Sequence, residues 1–225
     1  MRHARRALLV ALLAGVPAAR AGELRGTVRY AGPERPRPDR AVGKDREACG
    51  TSVPDESLLV DEGRLANVVI EVRGVPGPPP APARGSLAQV RCRFSPHVQA
   101  LPVGSTLSVG SSDAVLHSVH AWRGRSTAFS LALATPGERA EQRLVRPGLL
   151  QVRCDVHDWM SAWIAVVEGP AAVTGPDGRF AIGGLPPGSY TLVAWHERLG
   201  ERTGAVVVPE AGAAAVELEY GPARN

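Results

Sequence analysis

The sequence predicts an all-β protein built from β-sandwiches. Strand signals dominate the chain, because short runs that alternate apolar and polar residues are separated by Gly, Pro, Ser and Asp. Turn signals of the DG and PPG kind stand between the strands of the last third, as in GPDGRF and LPPGSY. Few segments have the 3.6-residue period of an amphipathic helix. Together these observations favour packed sheets over a helical fold.

The first 21 residues, MRHARRALLVALLAGVPAARA, have the composition of a secretory signal peptide. Arginines precede an apolar core over residues 7–18, and Ala19-Arg20-Ala21 has the A-x-A form of a cleavage site. The core is shorter than the roughly 20 residues that span a bilayer, so we expect cleavage near Ala21 and no stable membrane anchor. The composition, poor in Lys and rich in Ala, Arg, Gly and Pro, is typical of a GC-rich bacterium. The expected location is therefore the periplasm.

The charge balance argues against nucleic-acid binding. The whole chain has 26 Lys+Arg against 22 Asp+Glu. The leader holds four arginines and no acidic residue, so its removal leaves 22 of each sign and a formal net charge of about zero. No nucleic acid is therefore expected among the partners, and association with other proteins should depend little on salt.

After the leader, the strand signals fall into three groups. The first, over residues 22–77, contains the alternating run ELRGTVRY and the β-branched run ANVVIEVRG. A Pro-rich connector, VPGPPPAPARG, follows and cannot donate to a β-ladder. The second group, over residues 84–168, contains LAQVRCRF, ALPVGSTLSVG, VLHSVHAW, AFSLAL, EQRLVRPGLLQVRC and SAWIAVVEG. The third group, over residues 169–223, carries the DG and PPG turns.

Three cysteines, Cys49, Cys92 and Cys154, follow the leader. Exported proteins meet an oxidising compartment, where paired cysteines form disulfides and an odd one needs an explanation. The simplest pairing joins Cys49 to Cys92 and leaves Cys154 as a thiol that a metal would protect. The alternative is that Cys49 and Cys92 are additional soft ligands.

The stretch QVRCDVHDWM brings three types of metal ligand into one loop, as Cys154, His157 and Met160 in the spacing C-x2-H-x2-M. Copper that cycles between Cu(I) and Cu(II) favours one thiolate, two imidazoles and a weak axial thioether in trigonal geometry. The motif contains three of these four ligands, so we expect one mononuclear copper site. The structural alternatives are a buried small Cys154 and a core-filling Met160. Zinc accepts the same Cys and His ligands.

The remaining ligand has to be a histidine from elsewhere in the chain. The run VLHSVHAW contains His117 and His120, which lie three residues apart and so face opposite sides of a strand. His117 is the favoured ligand, with the polar Ser118 placed to hydrogen-bond near the cysteine. No chemistry is predicted for His97, although a second metal site beside His120 is the alternative. His196 is expected to be structural.

GSTLSVGSSDAVLHSVH, joined to PGLLQVRCDVHDWM, resembles the cupredoxin family, and most closely its amicyanin and plastocyanin branch. The resemblance covers roughly residues 87–168 and implies a Greek-key β-sandwich with one copper. The ligands that it implies are His117, Cys154, His157 and Met160. It also implies that His157 has a solvent-facing edge. The family usually has Asn after the first histidine, so Ser118 implies a different hydrogen bond to the thiolate and an altered reduction potential.

The stretch AVTGPDGRFAIGGLPPGSYTLVAWHERLG resembles the carboxypeptidase regulatory-like domain, a transthyretin-like β-sandwich. The matching pattern is T-x-x-D-G-x-F-x-I-x-x-L-P-P-G-x-Y-x-L. Such a domain normally opens with a G-x-V strand and an A-x-V-x-V strand, and this chain carries both near its start, in LRGTVRYAG and LANVVIEVRG. The resemblance therefore implies a discontinuous domain over residues 22–77 and 169–223. The cupredoxin domain, residues 84–168, would be inserted into one of its surface loops.

For the whole protein, the sequence predicts a periplasmic blue-copper protein that transfers single electrons. By resemblance, its partner would be a periplasmic redox protein such as a c-type cytochrome, a dehydrogenase or a peroxidase. Trp159 and Trp163 would form an apolar docking patch, with core packing as the alternative. The alternative function is copper binding and delivery, with the second sandwich as an adaptor. An enzyme is not expected, because the chain lacks the paired H-x-H motifs of a multicopper oxidase.

Overall fold

A computed structural model describes residues 22–33 and 38–222. The predicted signal peptide, residues 1–21, lies outside the described residues. The described chain contains twenty strands and one helix of four residues, which confirms the predicted all-β class. None of its helical structure has the length and apolar character needed to cross a bilayer.

The elements follow one another in three groups. The first group comprises β1 (Gly22–Tyr30), β2 (Asp39–Ala41), α1 (Arg46–Cys49), β3 (Ser52–Pro54), β4 (Val60–Asp61), β5 (Arg64–Leu65) and β6 (Val69–Arg73). The second comprises β7 (Arg84–Val90), β8 (Arg93–Ser95), β9 (Val98–Pro102), β10 (Thr106–Ser111), β11 (His117–Arg123), β12 (Ser126–Leu133), β13 (Arg139–Arg143), β14 (Gly148–Arg153) and β15 (Ser161–Val167). The third comprises β16 (Ala171–Val173), β17 (Arg179–Leu185), β18 (Gly188–His196), β19 (Gly200–Val208) and β20 (Ala213–Tyr220).

Strands β7 to β15 form a β-sandwich of two sheets, termed the central sandwich. One sheet has the order β13-β10-β7-β8 and the other the order β12-β11-β14-β15-β9. Most neighbours pair antiparallel, whereas β7 with β10 and β9 with β15 pair parallel. Alternate apolar side chains of the two sheets pack into one core. Its fully buried members include Leu87, Leu107, Val119, Leu150 and Ile164.

Strands from the first and third groups form a second sandwich, termed the terminal sandwich. Strand β1 pairs antiparallel with β17 and parallel with β20. Strand β6 pairs antiparallel with both β16 and β18. The core between these sheets includes Leu24, Val28, Ile70, Leu185 and Tyr220, all fully buried. The segments that precede and follow the central sandwich in the sequence therefore contribute to the same two sheets.

The run LAQVRCRF forms a hairpin instead of the single strand expected from its sequence. Strand β7 ends at Val90, and β8 begins at Arg93. Arg91 and Cys92 make the tight turn with φ angles of 50° and 55°, a left-handed conformation that non-glycine residues rarely adopt. The Asp113 carboxylate holds this turn, because it accepts the N–H of Arg91 at 2.7 Å and that of Cys92 at 2.8 Å. A long-range hydrogen bond thus overrides the local strand preference.

Residues 38–54, termed the cap segment, lie against the central sandwich. Val42 and Val53 pack into the central core. Cys49 and Cys92 form a disulfide that ties the cap segment to the β7–β8 turn. The two cysteines are 43 residues apart, and closing a loop of that size stabilises the folded state by about 4 kcal/mol in the chain-entropy description.

The two sandwiches meet at a small apolar cluster and a buried polar pair. The cluster includes Trp163 and Trp195, whose ring centroids are 4.9 Å apart. Beside them, one oxygen of Glu197 accepts the indole N–H of Trp163 at 3.0 Å, and the other is hydrogen-bonded to His97 Nε2. His97, for which the sequence predicted no chemistry, therefore connects the two sandwiches.

His196 has a structural environment next to this junction. The side chain is buried, and its Nδ1 accepts the Arg198 N–H at 3.2 Å. Burial lowers the pKa of His196 to about 4, so its imidazole is neutral near pH 7.

We expect the junction to make stability depend on pH. Burial lowers the pKa of His97, but the hydrogen bond and the charge of Glu197 outweigh burial and raise this pKa above its usual value. The His97–Glu197 pair therefore stabilises the folded protein fully below about pH 6.5. This stabilisation is lost as the pH rises through the pKa of His97 in the folded protein. In chemical denaturation of the metal-free protein, the destabilisation caused by His97→Gln should shrink as the pH rises above about 6.5. Glu197→Gln should show the same trend, and a destabilisation that stays constant with pH would contradict the assignment.

Candidate metal centre

The pairing of two strands positions the candidate ligands. His117 is the first residue of β11, and Cys154 directly follows β14, which pairs antiparallel with β11. His157 and Met160 follow on the loop that leads into β15. The loop is closed by hydrogen bonds from the Cys154 N–H to the Met160 carbonyl at 3.4 Å and from the Met160 N–H to the His157 carbonyl at 3.1 Å.

Three donor atoms converge at this end of the central sandwich. The Nδ1 atoms of His117 and His157 are 3.0 Å apart, and Cys154 Sγ lies 4.0 Å from the first and 3.8 Å from the second. Both imidazoles are completely buried, and Cys154 is 4% exposed. A second possible group among the described residues shares His117 but includes Cys92, whose sulfur is bonded to Cys49.

This donor set fits one cation. The three donor atoms are close enough together for one cation to bind all of them, at about 2.0 Å from each nitrogen and about 2.3 Å from the sulfur. A trigonal set of two imidazoles and one thiolate is typical of blue copper, whereas structural zinc prefers four tetrahedral ligands. Met160, the expected axial ligand, is buried in the same apolar cluster as Cys154. The four residues predicted as copper ligands thus share one buried region.

Cys154 has the surroundings of a thiolate. Burial raises the pKa of Cys154, but hydrogen bonds from His117, from the Ser118 N–H and from two backbone N–H groups of the ligand loop outweigh it and lower this pKa to about 6. The thiolate is the form of cysteine that binds metals. Burial lowers the pKa of His117, but its hydrogen bonds with Cys154 and Asp113 raise it above the usual value.

Ser118 contacts both the sulfur and the ligand loop. Its backbone N–H donates to Cys154 Sγ at 3.3 Å, and its hydroxyl lies 3.9 Å from the same sulfur. The hydroxyl oxygen also accepts the Asp155 N–H at 2.7 Å. The main hydrogen bond to the thiolate therefore comes from the backbone of Ser118, while its side chain holds the start of the ligand loop.

Two carboxylates that sequence reasoning missed complete the centre. His117 Nε2 donates to Asp113 Oδ2 at 3.0 Å, and His157 Nε2 donates to Asp45 Oδ2 at 2.9 Å. Asp113 lies four residues before His117 in the run SSDAVLH, a spacing from which its role could have been suspected. Asp45 is 112 residues from His157, and no sequence pattern points to it.

Two expectations from the sequence, the solvent-facing edge of His157 and the docking patch, are wrong. His157 has no solvent-facing edge, because Asp45 and the rest of the cap segment cover its completely buried imidazole. Trp159 and Trp163 do not form a docking patch. Trp159 is buried and donates its indole N–H to the Cys92 carbonyl at 3.1 Å, and Trp163 packs at the junction of the two sandwiches.

His120 lies on the opposite face of β11 from His117. Its imidazole shares hydrogen bonds with Asp155 Oδ1 at 3.0 Å and with Thr127 Oγ1 at 2.9 Å. It also stacks on Trp122, with ring centroids 4.0 Å apart. Of the two histidines in VLHSVHAW, the structure places His117 with the cysteine.

Solved structures similar to this chain include cupredoxins. One is a copper-containing nitrite reductase from Thermus scotoductus SA-01, with 25% identity and a TM-score of 0.34 over 42% of this chain and 24% of that chain. Another is a purple cupredoxin from Nitrosopumilus maritimus, with 18% identity and a TM-score of 0.31 over 37% of this chain and 99% of that chain. A reduced amicyanin mutant has 15% identity and a TM-score of 0.34 over 43% of this chain and 99% of that chain. No protein-family model and no curated protein sequence matches the chain.

Proposed function

We propose that this protein is a mononuclear blue-copper protein that transfers single electrons. The observation that carries the proposal is the buried triangle of His117 Nδ1, His157 Nδ1 and Cys154 Sγ, none more than 4.0 Å from another. Bound copper would supply a one-electron Cu(II)/Cu(I) couple. His117, Cys154 and His157 would hold it, with Met160 as a weaker fourth ligand.

The scaffold suits this function because its own contacts hold the ligands in place. His117 lies on a strand that pairs with β12 on one side and β14 on the other. Each ligand imidazole has a carboxylate on its outer nitrogen, and Cys154 Sγ accepts the Ser118 N–H. Ligands held this firmly change little between the two oxidation states, which keeps the barrier to electron transfer low.

We propose that electrons leave through the outer face of β11, since the cap segment covers His157. The Ser118 hydroxyl donates to Asp155 Oδ2 at 3.2 Å, and the other oxygen of Asp155 lies 3.0 Å from His120 Nδ1. His120 stacks on the partly exposed Trp122. These contacts connect Ser118, whose backbone N–H donates to Cys154 Sγ, to the stacked pair of His120 and Trp122. A partner protein can reach this aromatic pair.

We further propose that the protein acts in the periplasm with a redox protein such as a c-type cytochrome, a dehydrogenase or a peroxidase. The support is the signal-peptide composition of residues 1–21 and the aromatic pair on β11. The terminal sandwich, whose sequence pattern resembles a carboxypeptidase regulatory-like domain, would be a non-catalytic module beside the metal centre.

The alternative function, copper delivery, has less support from the site. Transfer of a metal to an acceptor protein requires that the acceptor reach the ligands. His117 and His157 are completely buried, Cys154 is 4% exposed, and the cap segment covers the outer side of His157. A closed centre of this kind favours electron transfer over metal exchange.

The metal-free protein with one equivalent of Cu(II) should develop an intense absorption band towards the red end of the visible spectrum. Its paramagnetic resonance spectrum should show narrow copper hyperfine splitting, and reduction should bleach the band reversibly. Cys154→Ser should abolish the band because the thiolate is lost, whereas His120→Gln, the matched histidine control, should retain it. A wild-type protein that stays colourless, or that cannot be reoxidised, would favour delivery or storage of copper instead.

Trp122→Ala should slow electron transfer from a reduced c-type cytochrome by roughly tenfold, because it removes the exposed end of the proposed route. The visible spectrum should stay unchanged. Leu116→Ala is the matched control, since it removes a 48% exposed side chain next to His117 and should leave the rate unchanged. Stopped-flow absorption measures both rates. If only Leu116→Ala slows electron transfer, electrons pass through the His117 end of the central sandwich instead.

A further inference from the structure

We propose that Asp45 and Asp113 are positioning residues that orient the two metal-binding imidazoles, and that the Cys49–Cys92 disulfide holds both carboxylates in place. This inference rests on the proposed function, because it concerns the same metal centre. Each carboxylate acts through an imidazole and not on the metal itself.

Each carboxylate determines which nitrogen of its imidazole carries the proton. An ionised carboxylate only accepts hydrogen bonds, so the contacts of Asp113 and Asp45 place the protons on His117 Nε2 and His157 Nε2. In the neutral imidazoles both Nδ1 lone pairs then point inwards, 3.0 Å from each other and close to Cys154 Sγ, whereas the Nδ1–H···Sγ hydrogen bond of His117 belongs to its protonated form. Two lone pairs at this distance repel unless a cation lies between them. The carboxylates thus select the tautomers that bind a metal.

The β7–β8 turn holds Asp113. Its Oδ1 accepts the Arg91 N–H at 2.7 Å, and its Oδ2 accepts the Cys92 N–H at 2.8 Å. The side chain is 8% exposed. The same Oδ2 accepts the proton of His117, so the position of this imidazole follows the position of the turn.

The short helix α1 holds Asp45. The backbone carbonyl of Asp45 accepts the N–H of Ala48 at 3.0 Å and that of Cys49 at 2.9 Å. Cys49 is the last residue of α1 and is bonded to Cys92. The disulfide therefore joins the helical turn that begins at Asp45 to the β7–β8 turn whose N–H groups hold the Asp113 carboxylate.

Trp159 adds a second connection between the cap segment and the ligand loop. Its indole N–H donates to the Cys92 carbonyl at 3.1 Å, and its own carbonyl accepts a hydrogen bond from Arg40 at 2.9 Å. Its ring centroid lies 4.9 Å from that of His157. A displacement of the cap segment would thus disturb Asp45, the disulfide turn and the ligand loop together.

Substitutions at Asp45 test the positioning role most directly. Asp45→Ala removes the acceptor, Asp45→Asn keeps its shape without the charge, and Asp45→Glu keeps a carboxylate. The matched control is Asp158→Asn, which removes an exposed carboxylate from the ligand loop. We expect the dissociation constants for Cu(II) and Co(II) to rise about 10- to 100-fold in Asp45→Ala, to rise less in Asp45→Asn and to be partly restored in Asp45→Glu. A rise no larger than that of the control would overturn the proposal.

The reduction potential distinguishes a positioning role of Asp45 from the general effect of removing one negative charge near the metal centre. Asp45→Asn and Asp158→Asn change the formal charge equally, but only the first makes His157 a less basic ligand. Cu(II) depends more than Cu(I) on such a ligand, so we expect the potential to rise by about 59 mV for each tenfold loss of Cu(II) affinity relative to Cu(I). Voltammetry measures both variants, and equal shifts would contradict a specific role for Asp45.

A double-mutant cycle tests the role of the disulfide. The variant with Cys49→Ser and Cys92→Ser should bind Cu(II) and Co(II) about 10- to 100-fold more weakly, and Asp45→Ala should add little in that background. If the losses of metal affinity caused by removing the disulfide and by Asp45→Ala are additive, the disulfide does not act through Asp45. Asp113→Asn complements the cycle, because Asn keeps one oxygen for the β7–β8 turn while weakening the contact with His117.

Nuclear magnetic resonance of the metal-free protein separates this proposal from the proposed function. At mildly alkaline pH, the ring nitrogens of His117 and His157 should report protonated Nε2 atoms in the wild type, and Asp45→Ala should give a mixture of tautomers for His157 only. If the wild type has protonated Nε2 atoms on both histidines but forms no thiolate–copper band, the electron-transfer function is refuted and the positioning role is left intact. A normal band with tautomers, affinities and potential unchanged in Asp45→Ala would refute the positioning role alone.

Discussion

The burial of two imidazoles and a thiolate inside an apolar core is the constraint on which the rest of the centre depends. A buried polar atom without a partner destabilises the fold, so every such atom of the ligands needs a contact. The outer nitrogens of His117 and His157 have carboxylates, and Cys154 Sγ has a backbone N–H. The inner nitrogens and the sulfur face one another, and one cation would satisfy all three at once.

Meeting this constraint uses parts of the chain that are distant in sequence. The central sandwich provides the ligands and Asp113, whereas Asp45 comes from the cap segment, which lies between strands of the terminal sandwich. The pairing of β1 and β6 with strands from the third group brings both ends of the described chain to one sandwich. That arrangement leaves the cap segment free to cross over and cover His157. The disulfide then secures the crossing.

Because the metal centre is closed, a redox partner would have to contact the protein at a surface away from the ligand loop. With Asp45 over His157 and Trp159 packed beneath the cap segment, the ligand loop has no exposed aromatic edge for a partner. The proposed route for electrons runs from Ser118 through Asp155 to His120 and so follows the outer side of β11. A partner protein would, on this proposal, dock on the outer side of β11.

The sequence by itself determined the strand-rich class and the types of ligand in the loop. Alternation and turn residues act over a few neighbours, and a C-x2-H-x2-M spacing constrains one loop whatever surrounds it. The opposite orientations of His117 and His120 also follow from strand periodicity. The contact of Asp45 with His157, the hairpin at Cys92 and the burial of Trp159 were decided only by the tertiary structure. Each depends on packing between segments far apart in the chain, and no local pattern encodes which distant side chain will fill a given space.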